Sequence, residues 1–252
     1  MILSRQLKSC GRKVLEAMGY RLYRPGAYFI FDFESYLYRY LQLKKTLTYL
    51  QIGANDGKLN DPMYKFVCKN HGSLTGYLLE PLPDVYERLV KNYQDFGRIK
   101  TYNLAIHEKE SSLVLYRVKP NLEGKLQAFA KGIASYDPNH WRKSKMIPNQ
   151  DFMEQLKVSA CPLGTFILEN HIKELDLIII DTEGYDYEIL KAILLLNVKP
   201  KIIRFEHGLR DGIMISEEFL DICNQLNKSG YQVIPESYDA TAFQLNPSEL
   251  VL

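Results

Sequence analysis

The run Leu175-Asp176-Leu177-Ile178-Ile179-Ile180-Asp181 is aliphatic at nearly every position. A strand with one face to water alternates apolar and polar residues. A continuous apolar run needs cover on both faces, as a central strand of a parallel sheet flanked by helices has. This stretch therefore commits the chain to an α/β sheet. It ends in Asp181-Thr182-Glu183-Gly184, which places two carboxylates and a glycine at the strand's carboxyl tip, and a helical pattern follows from Tyr185 to Leu196.

The rest of the chain alternates in the same way. Thr46 to Ile52 reads as a short strand leading into the loop Gly53-Ala54-Asn55-Asp56-Gly57, and Asp61-Pro62 starts a helix through about His71. A second strand runs to Glu80, and Pro81 and Pro83 open another helix. A third strand covers Ile99 to Ile106, and an added strand lies at Ser111 to Val118. Thr165 to Ile172 is helical, Lys199 to Gly208 is a further strand, and Ser216 caps a helix. Tyr231–Ile234 and Thr241–Leu245 form a closing hairpin pair. The expected fold is α/β, a doubly wound, mostly parallel, seven-stranded sheet with a C-terminal antiparallel hairpin.

A length of 252 residues suits one such domain with an insertion, and 46% hydrophobic against 25% charged residues supports a full core. The divisions expected are a helical and aromatic extension over 1–45 and a catalytic domain over 46–252, with 119–157 as a lid-like insertion. A net charge of +2 gives no global drive toward nucleic acid. Cys10, Cys68, Cys161 and Cys223 are scattered, which suits a reducing compartment and gives neither a disulfide framework nor a zinc site. No apolar run approaches the roughly 18 residues of a membrane span, so a cytoplasmic location is expected.

Three segments have more than one reading. Residues 1–25 are basic, with Leu3, Leu7, Val14, Leu15 and Met18 at near-helical spacing. They form either a helix packed on the domain or a weak peripheral membrane contact. Residues 28–45 are dense in aromatics, which either bury rings against the sheet or line an acceptor pocket. Residues 119–157 have little apolar periodicity and carry Ser135, Tyr136, Asp137, His140 and Trp141. A long irregular segment inside a compact domain is usually a lid, a binding loop or disordered.

Ligands of doubly wound sheets bind outside the strands' carboxyl ends. The candidate residues gather at such ends: Gly53 to Gly57, Glu80, Ala105 with Asn103 nearby, Asp181 with Glu183, and Glu206 with His207. Glu80 follows Gly57 by 23 residues, the spacing at which an acid on the second strand accepts hydrogen bonds from two ribose hydroxyls. A dinucleotide dehydrogenase would want a G-x-G-x-x-G loop, and Asp56 would repel a pyrophosphate. Acids instead suit a cationic cofactor.

The combination of Gln51-Ile52-Gly53-Ala54-Asn55-Asp56-Gly57, Glu80-Pro81, Ile180-Asp181-Thr182-Glu183-Gly184 and Phe205-Glu206-His207 resembles the FkbM-type S-adenosylmethionine-dependent methyltransferases, over about residues 46–210. The resemblance implies a Rossmann-like class I methyltransferase fold. It implies S-adenosyl-L-methionine contacts at Gln51, Gly53, Asn55, Asp56 and Gly57, ribose binding at Glu80, and an active-site position for Asp181 and Glu183. It also implies methyl transfer to an oxygen, often a hydroxyl on a sugar or natural product. Gln51 departs from the wider methyltransferase pattern, in which an acid often precedes the glycine loop.

The base that takes the hydroxyl proton would be His207 or His140 among the histidines, or Asp181, Glu183 or Glu206 among the carboxylates. Acids near a sulfonium account for these carboxylates without a metal, although Asp181, Glu183, Glu206 and His207 have a composition that suits a divalent cation. The partner expected is a small-molecule or glycan acceptor. The rival readings are a non-catalytic scaffold with a methyltransferase-like fold and, behind it, an NAD-dependent dehydrogenase.

Overall fold

A computed structural model describes residues 31–59, 61–126, 134–139, 142, 147–207, 216–236 and 238–244. The basic segment 1–25 and the candidate base His140 lie outside them. In chain order the first elements are α1 (Phe33–Lys44), β1 (Leu47–Ile52), α2 (Tyr64–Asn70), β2 (Leu74–Leu79), α3 (Pro83–Tyr93), β3 (Ile99–Tyr102), β4 (Ala105–Ile106), β5 (Ser112–Val118) and β6 (Ala134–Ser135). There follow β7 (Met153–Cys161), α4 (Leu163–Glu169), β8 (Leu177–Ile180), α5 (Asp186–Leu195), β9 (Ile202–Glu206), α6 (Glu217–Lys228), β10 (Tyr231–Pro235) and β11 (Asp239–Gln244).

The main sheet has seven strands in the order β10-β11-β9-β8-β1-β2-β3. Strands β3, β2, β1, β8 and β9 are parallel, and β11 runs antiparallel to both β9 and β10. The apolar run behaves as its composition requires: all four residues of β8 are buried, held in register between β1 and β9. The chain winds outward from β1 to β3 and then returns to β8 on the other side of β1. The order reverses between β1 and β8, where a crevice opens at the strands' carboxyl ends. Helices α4, α5 and α6 supply Phe166, Ile189, Ile193, Phe219 and Leu226 to the core on this sheet.

The aromatic segment packs far from that crevice. Helix α1 buries Phe33, Leu37 and Leu41. Its Tyr36 ring meets Phe243 edge-on at 4.7 Å, and its Tyr38 ring meets Phe66 at 4.9 Å. The Tyr40 hydroxyl and Lys44 both donate to Asp176, which also accepts the Thr48 backbone N–H. Asp176 and Thr48 lie at the entry ends of β8 and β1, so α1 closes the bottom of the sheet.

Two elements differ from the sequence expectation. The strand expected over Ile99 to Ile106 is two strands. Asn103 donates from Nδ2 to the carbonyls of Glu80 (2.9 Å) and Pro81 (3.0 Å), which turns the chain out of the main sheet after Tyr102. Strand β4 then enters a second sheet of four strands, β4-β7-β5-β6. The second difference is β7, nine residues long, which overlaps the end of the segment expected to be irregular. It pairs antiparallel with β5 from Ser112↔Ser159 to Val118↔Met153. It lies between β4 and β5, and its buried Val158 and Ala160 alternate with exposed Lys157 and Ser159, as in a strand with one face to water.

The second sheet rests on α3. Leu113, Leu115, Val158 and Ala160 pack with Leu82, Val85 and Ala105. Arg117, only 2% exposed, reaches out of β5 to both carboxylate oxygens of Asp84 on α3 and to Glu123 at 3.3 Å. A guanidinium matches a carboxylate with two parallel N–H donors, so the contact fixes orientation as well as distance.

Candidate active site

The crevice is lined by the tips of β1, β2, β4 and β8, with β5, β6 and the loop after β8 closing one side. On the β1 side the glycine loop is shaped by its neighbours. Gly53 has φ +81°, and a Cβ there would stand 1.8 Å from the Asp181 carbonyl oxygen. Glycine is therefore required by the approach of β8 as well as by any ligand. Asn55 has φ +50°, a region that asparagine tolerates better than most residues. Its backbone N–H donates to Glu80 Oε2 at 2.9 Å, and the Leu82 N–H donates to Glu80 Oε1 at 2.9 Å.

Glu80 is thus held by one backbone donor on each oxygen, and each oxygen keeps a lone pair for a further donor. Burial pushes its carboxyl up to about 7, against the downward pull of the Leu82 and Asn55 N–H groups and the Arg117 charge. The fixed pair of oxygens suits two vicinal hydroxyls. Pro81, Leu104, Ala105, Leu113 and Leu115 continue the wall from Glu80 as an apolar surface that a flat base can lie on.

Two residues expected at the cofactor stand back from it. Asp56 and Gly57 are not part of the crevice wall. Asp56 Oδ1 accepts the N–H groups of Lys58 (2.9 Å) and Leu59 (2.7 Å), so its charge caps the turn after the loop. A Cβ on Gly57 would meet Leu89 and Tyr93 of α3 at 2.4 Å, so this glycine serves helix packing. Gln51, Gly53, Asn55, Glu80 and Ala105 all line the crevice, as do Asp181 and Glu183.

His207 also stands away from the site. Its backbone N–H donates to Tyr238 O, its Nε2 lies 3.2 Å from Glu236 O, and its ring meets Phe219 at 5.3 Å. Glu236 and Tyr238 of the β10–β11 hairpin and Phe219 of α6 cover the tip of β9 through these contacts. Glu206 and His207 are consequently absent from the crevice wall. The divalent-cation alternative needed these two beside Asp181 and Glu183. Among the described residues, no group of three His, Cys, Asp or Glu converges so as to hold a metal ion.

The β8 tip brings two more acids to the crevice, Asp181 and Glu183. Asp181 opens into the crevice and is exposed to it. The protein packed around the carboxyl pushes its pKa up, and Glu183, Asp186, Glu206 and Asp239 add in the same direction. Water in the open crevice offsets that push, so the exposure governs the empty site. Glu183 holds φ +53°, unusual for a side chain of that length. Its carbonyl accepts the Ser135 hydroxyl at 2.7 Å. Asp186 accepts Thr182 Oγ1 at 2.8 Å and the Gly184 N–H at 3.3 Å, which closes the loop from its other end.

Three rings complete the crevice: His107 after β4, Tyr136 after β6 and Tyr185 after the β8 loop. His107 stacks on Tyr185 with centroids 4.9 Å apart and planes 17° from parallel, and Tyr136 leans on both at 5.7 and 6.2 Å. His107 Nδ1 accepts the N–H groups of Lys109 (3.3 Å) and Glu110 (3.1 Å), which leaves Nε2 as the protonated nitrogen of the neutral ring. Sequence reasoning passed over His107 and Tyr185, although each sits within a few residues of a strand tip already singled out.

Four carboxylates, Asp61, Glu80, Asp181 and Glu183, line one crevice with an apolar shelf beside Glu80. A cationic sulfonium compound carrying a ribose and a flat base fits this donor set, whereas a pyrophosphate would meet repulsion. Among solved structures, the METTL16 methyltransferase domain aligns with TM-score 0.45 at 12% identity, covering 92% of this chain and 76% of that one. Precorrin-6y C5,15-methyltransferase from Geobacter metallireducens aligns with TM-score 0.40 at 12% identity, covering 83% and 86%. Aeropyrum pernix fibrillarin, solved with natively bound S-adenosyl-L-methionine, aligns with TM-score 0.41 at 9% identity, covering 79% and 66%. No curated protein matches the chain. The methyltransferase FkbM domain matches over residues 51–233, which takes in the glycine loop, Glu80, the second sheet and the β8 tip. The chain belongs to the FkbM methyltransferase family, and its cofactor is S-adenosylmethionine.

Proposed function

We propose that the chain is an O-methyltransferase whose acceptor is a hydroxyl on a sugar or natural product, with Asp181 as the general base. The observation that carries this reading is the Asp181 carboxylate, exposed in the crevice that Glu183, His107, Tyr136 and Tyr185 also line. S-adenosylmethionine supplies a methyl carbon on a sulfonium. The acceptor oxygen forms the new bond to that carbon as the carbon–sulfur bond breaks, and the hydroxyl proton passes to the carboxylate.

A carboxylate suits this role better than the histidines at hand. His107 Nδ1 is occupied by two N–H donors, and its Nε2 already carries the proton. His207 is outside the crevice. Asp181 is exposed in the crevice, where an acceptor hydroxyl can reach its carboxylate. The three rings offer flat apolar faces, which suit the CH-bearing face of a sugar or a planar natural product.

The test is a screen of hydroxylated acceptors by mass spectrometry for a gain of one methyl group, with release of S-adenosylhomocysteine. For an acceptor so found, Asp181→Asn is expected to lower kcat by roughly a hundred- to ten-thousandfold while S-adenosylhomocysteine affinity stays within about threefold. Undiminished turnover in the variant would remove Asp181 as the base. The absence of any methylated product across the screen would favour the scaffold reading.

A further inference from the structure

Gln51 stands where an acid would put a charge next to the cofactor's amino-acid end. The side chain is 3% exposed and lines the crevice. Its Nε2 donates to Asp61 Oδ2 at 2.7 Å, while its Oε1 makes no hydrogen bond.

Asp61 lines the same crevice, ten positions further along the chain. Its Oδ1 accepts the N–H groups of Met63 and Tyr64, each at 2.6 Å, at the start of α2. The helix start thus fixes the carboxylate, and the carboxylate fixes the amide: with Nε2 turned to Asp61, the free oxygen of Gln51 lies on the amide's other side. Among the described residues Asp61 has no cationic partner. Burial lifts its carboxyl to about 6, above the ordinary range for an aspartate. A cation arriving beside it would reverse that shift, so the carboxyl gains from a positively charged ligand.

We propose that Asp61 supplies the negative charge that receives the ammonium of the S-adenosylmethionine amino-acid tail, with Gln51 as its positioning residue. This rests on the chain being an S-adenosylmethionine-dependent methyltransferase. The missing acid before the glycine loop is then moved in sequence, from the end of β1 to the start of α2, while the charge stays at the same end of the crevice.

Two ligands separate the parts of the claim. S-adenosylhomocysteine carries the ammonium; 5′-methylthioadenosine has the same nucleoside and thioether but lacks the amino-acid tail. Calorimetric titration of wild type, Asp61→Asn and the double variant Asp61→Asn/Gln51→Glu with both ligands is the experiment. Losing one charge-assisted contact predicts that Asp61→Asn binds S-adenosylhomocysteine roughly ten- to a hundredfold more weakly. Its 5′-methylthioadenosine affinity should stay within about twofold. Gln51→Glu in that background should recover part of the lost affinity by returning a charge to the end of β1. Undiminished S-adenosylhomocysteine affinity in Asp61→Asn overturns the assignment. So does equal weakening of both ligands, since Asp61 would then hold the shape of the site rather than the ammonium. A wild-type protein that binds neither ligand would instead overturn the cofactor reading on which the proposal stands.

Discussion

The two walls of the crevice are built in opposite ways. The cofactor wall comes from a nearly continuous piece of chain, Gln51 to Ala105, and its contacts are short in sequence: Asn55 N–H to Glu80, Leu82 N–H to Glu80, and Gln51 to Asp61. The opposite wall is assembled from His107, Tyr136 and Tyr185, which belong to three separate stretches. Its ties are long in sequence: Ser135 to Glu183 and Arg117 to Asp84. A wall made from one stretch depends on backbone geometry at a strand tip. A wall made from three depends on tertiary contacts that carry a second sheet into place.

The largest effect that separates the walls is expected at Glu80. If Glu80 holds the ribose as its two oxygens suggest, Glu80→Ala removes both acceptors and is expected to lower S-adenosylmethionine affinity by more than about a hundredfold, given roughly 1.5–3 kcal/mol for each hydrogen bond to a charged group. The fold should survive, since losing a carboxyl whose pKa burial raises to about 7 offsets part of the cost of freeing the Asn55 and Leu82 N–H groups. Calorimetry and thermal melting check the two halves of this expectation. Unchanged affinity would break the ribose assignment.

Arg117 tests the other wall. Arg117→Met keeps the volume but strands Glu123, which is 7% exposed, without its guanidinium. Breaking a buried ion pair from one side costs about 3 kcal/mol, and urea unfolding should show a loss of that order. Turnover with an identified acceptor should fall further than S-adenosylhomocysteine affinity, because the contact holds the second sheet against α3 and so sets Tyr136 opposite His107. Equal losses in both would mean that the second sheet serves the cofactor as much as the acceptor.

The same contrast governs what the sequence displays. The main sheet was legible because a buried parallel strand must be apolar on both faces, and Leu177 to Ile180 are. Glu80 was legible because its distance from Gly57 follows from one strand–helix–strand unit. Asp56 misled because a carboxylate in a glycine loop looks available, whereas local N–H groups at Lys58 and Leu59 had first claim on it. His207 misled because a strand tip serves a site only where nothing covers it, and the cover from Tyr238, Glu236 and Phe219 is a tertiary property. Strand β7 was hidden because a strand whose Gln155, Lys157 and Ser159 face water carries little apolar signal. The ring trio was hidden because nothing local ties residue 107 to 136 or 185.

The smallest expected effect concerns the joint between the walls, the β8 loop. Asp186 is 5% exposed, and its Oδ2 accepts Thr182 Oγ1 and the Gly184 N–H while its Oδ1 has no partner. Burial pushes its carboxyl up to about 6, above its value in an unfolded chain. A raised pKa in the folded state means that folding favours the protonated form. The stability tied to that proton is fully present below the unfolded pKa and is lost as pH rises through about 6. Asp186→Asn cannot ionise, so its melting temperature relative to wild type should be higher at pH 8 than at pH 4. The amide adds its own constant offset from a buried N–H facing the place of Oδ1, and only the change between the two pH values reports the carboxyl. That change should correspond to about 2.5 kcal/mol at most, or several °C for a chain of this size. A difference that stays flat from pH 4 to pH 8 would mean that Asp186 is ionised in the native loop like an ordinary helix-capping acid. The loop would then be held by a full charge at the start of α5 rather than by a shared proton.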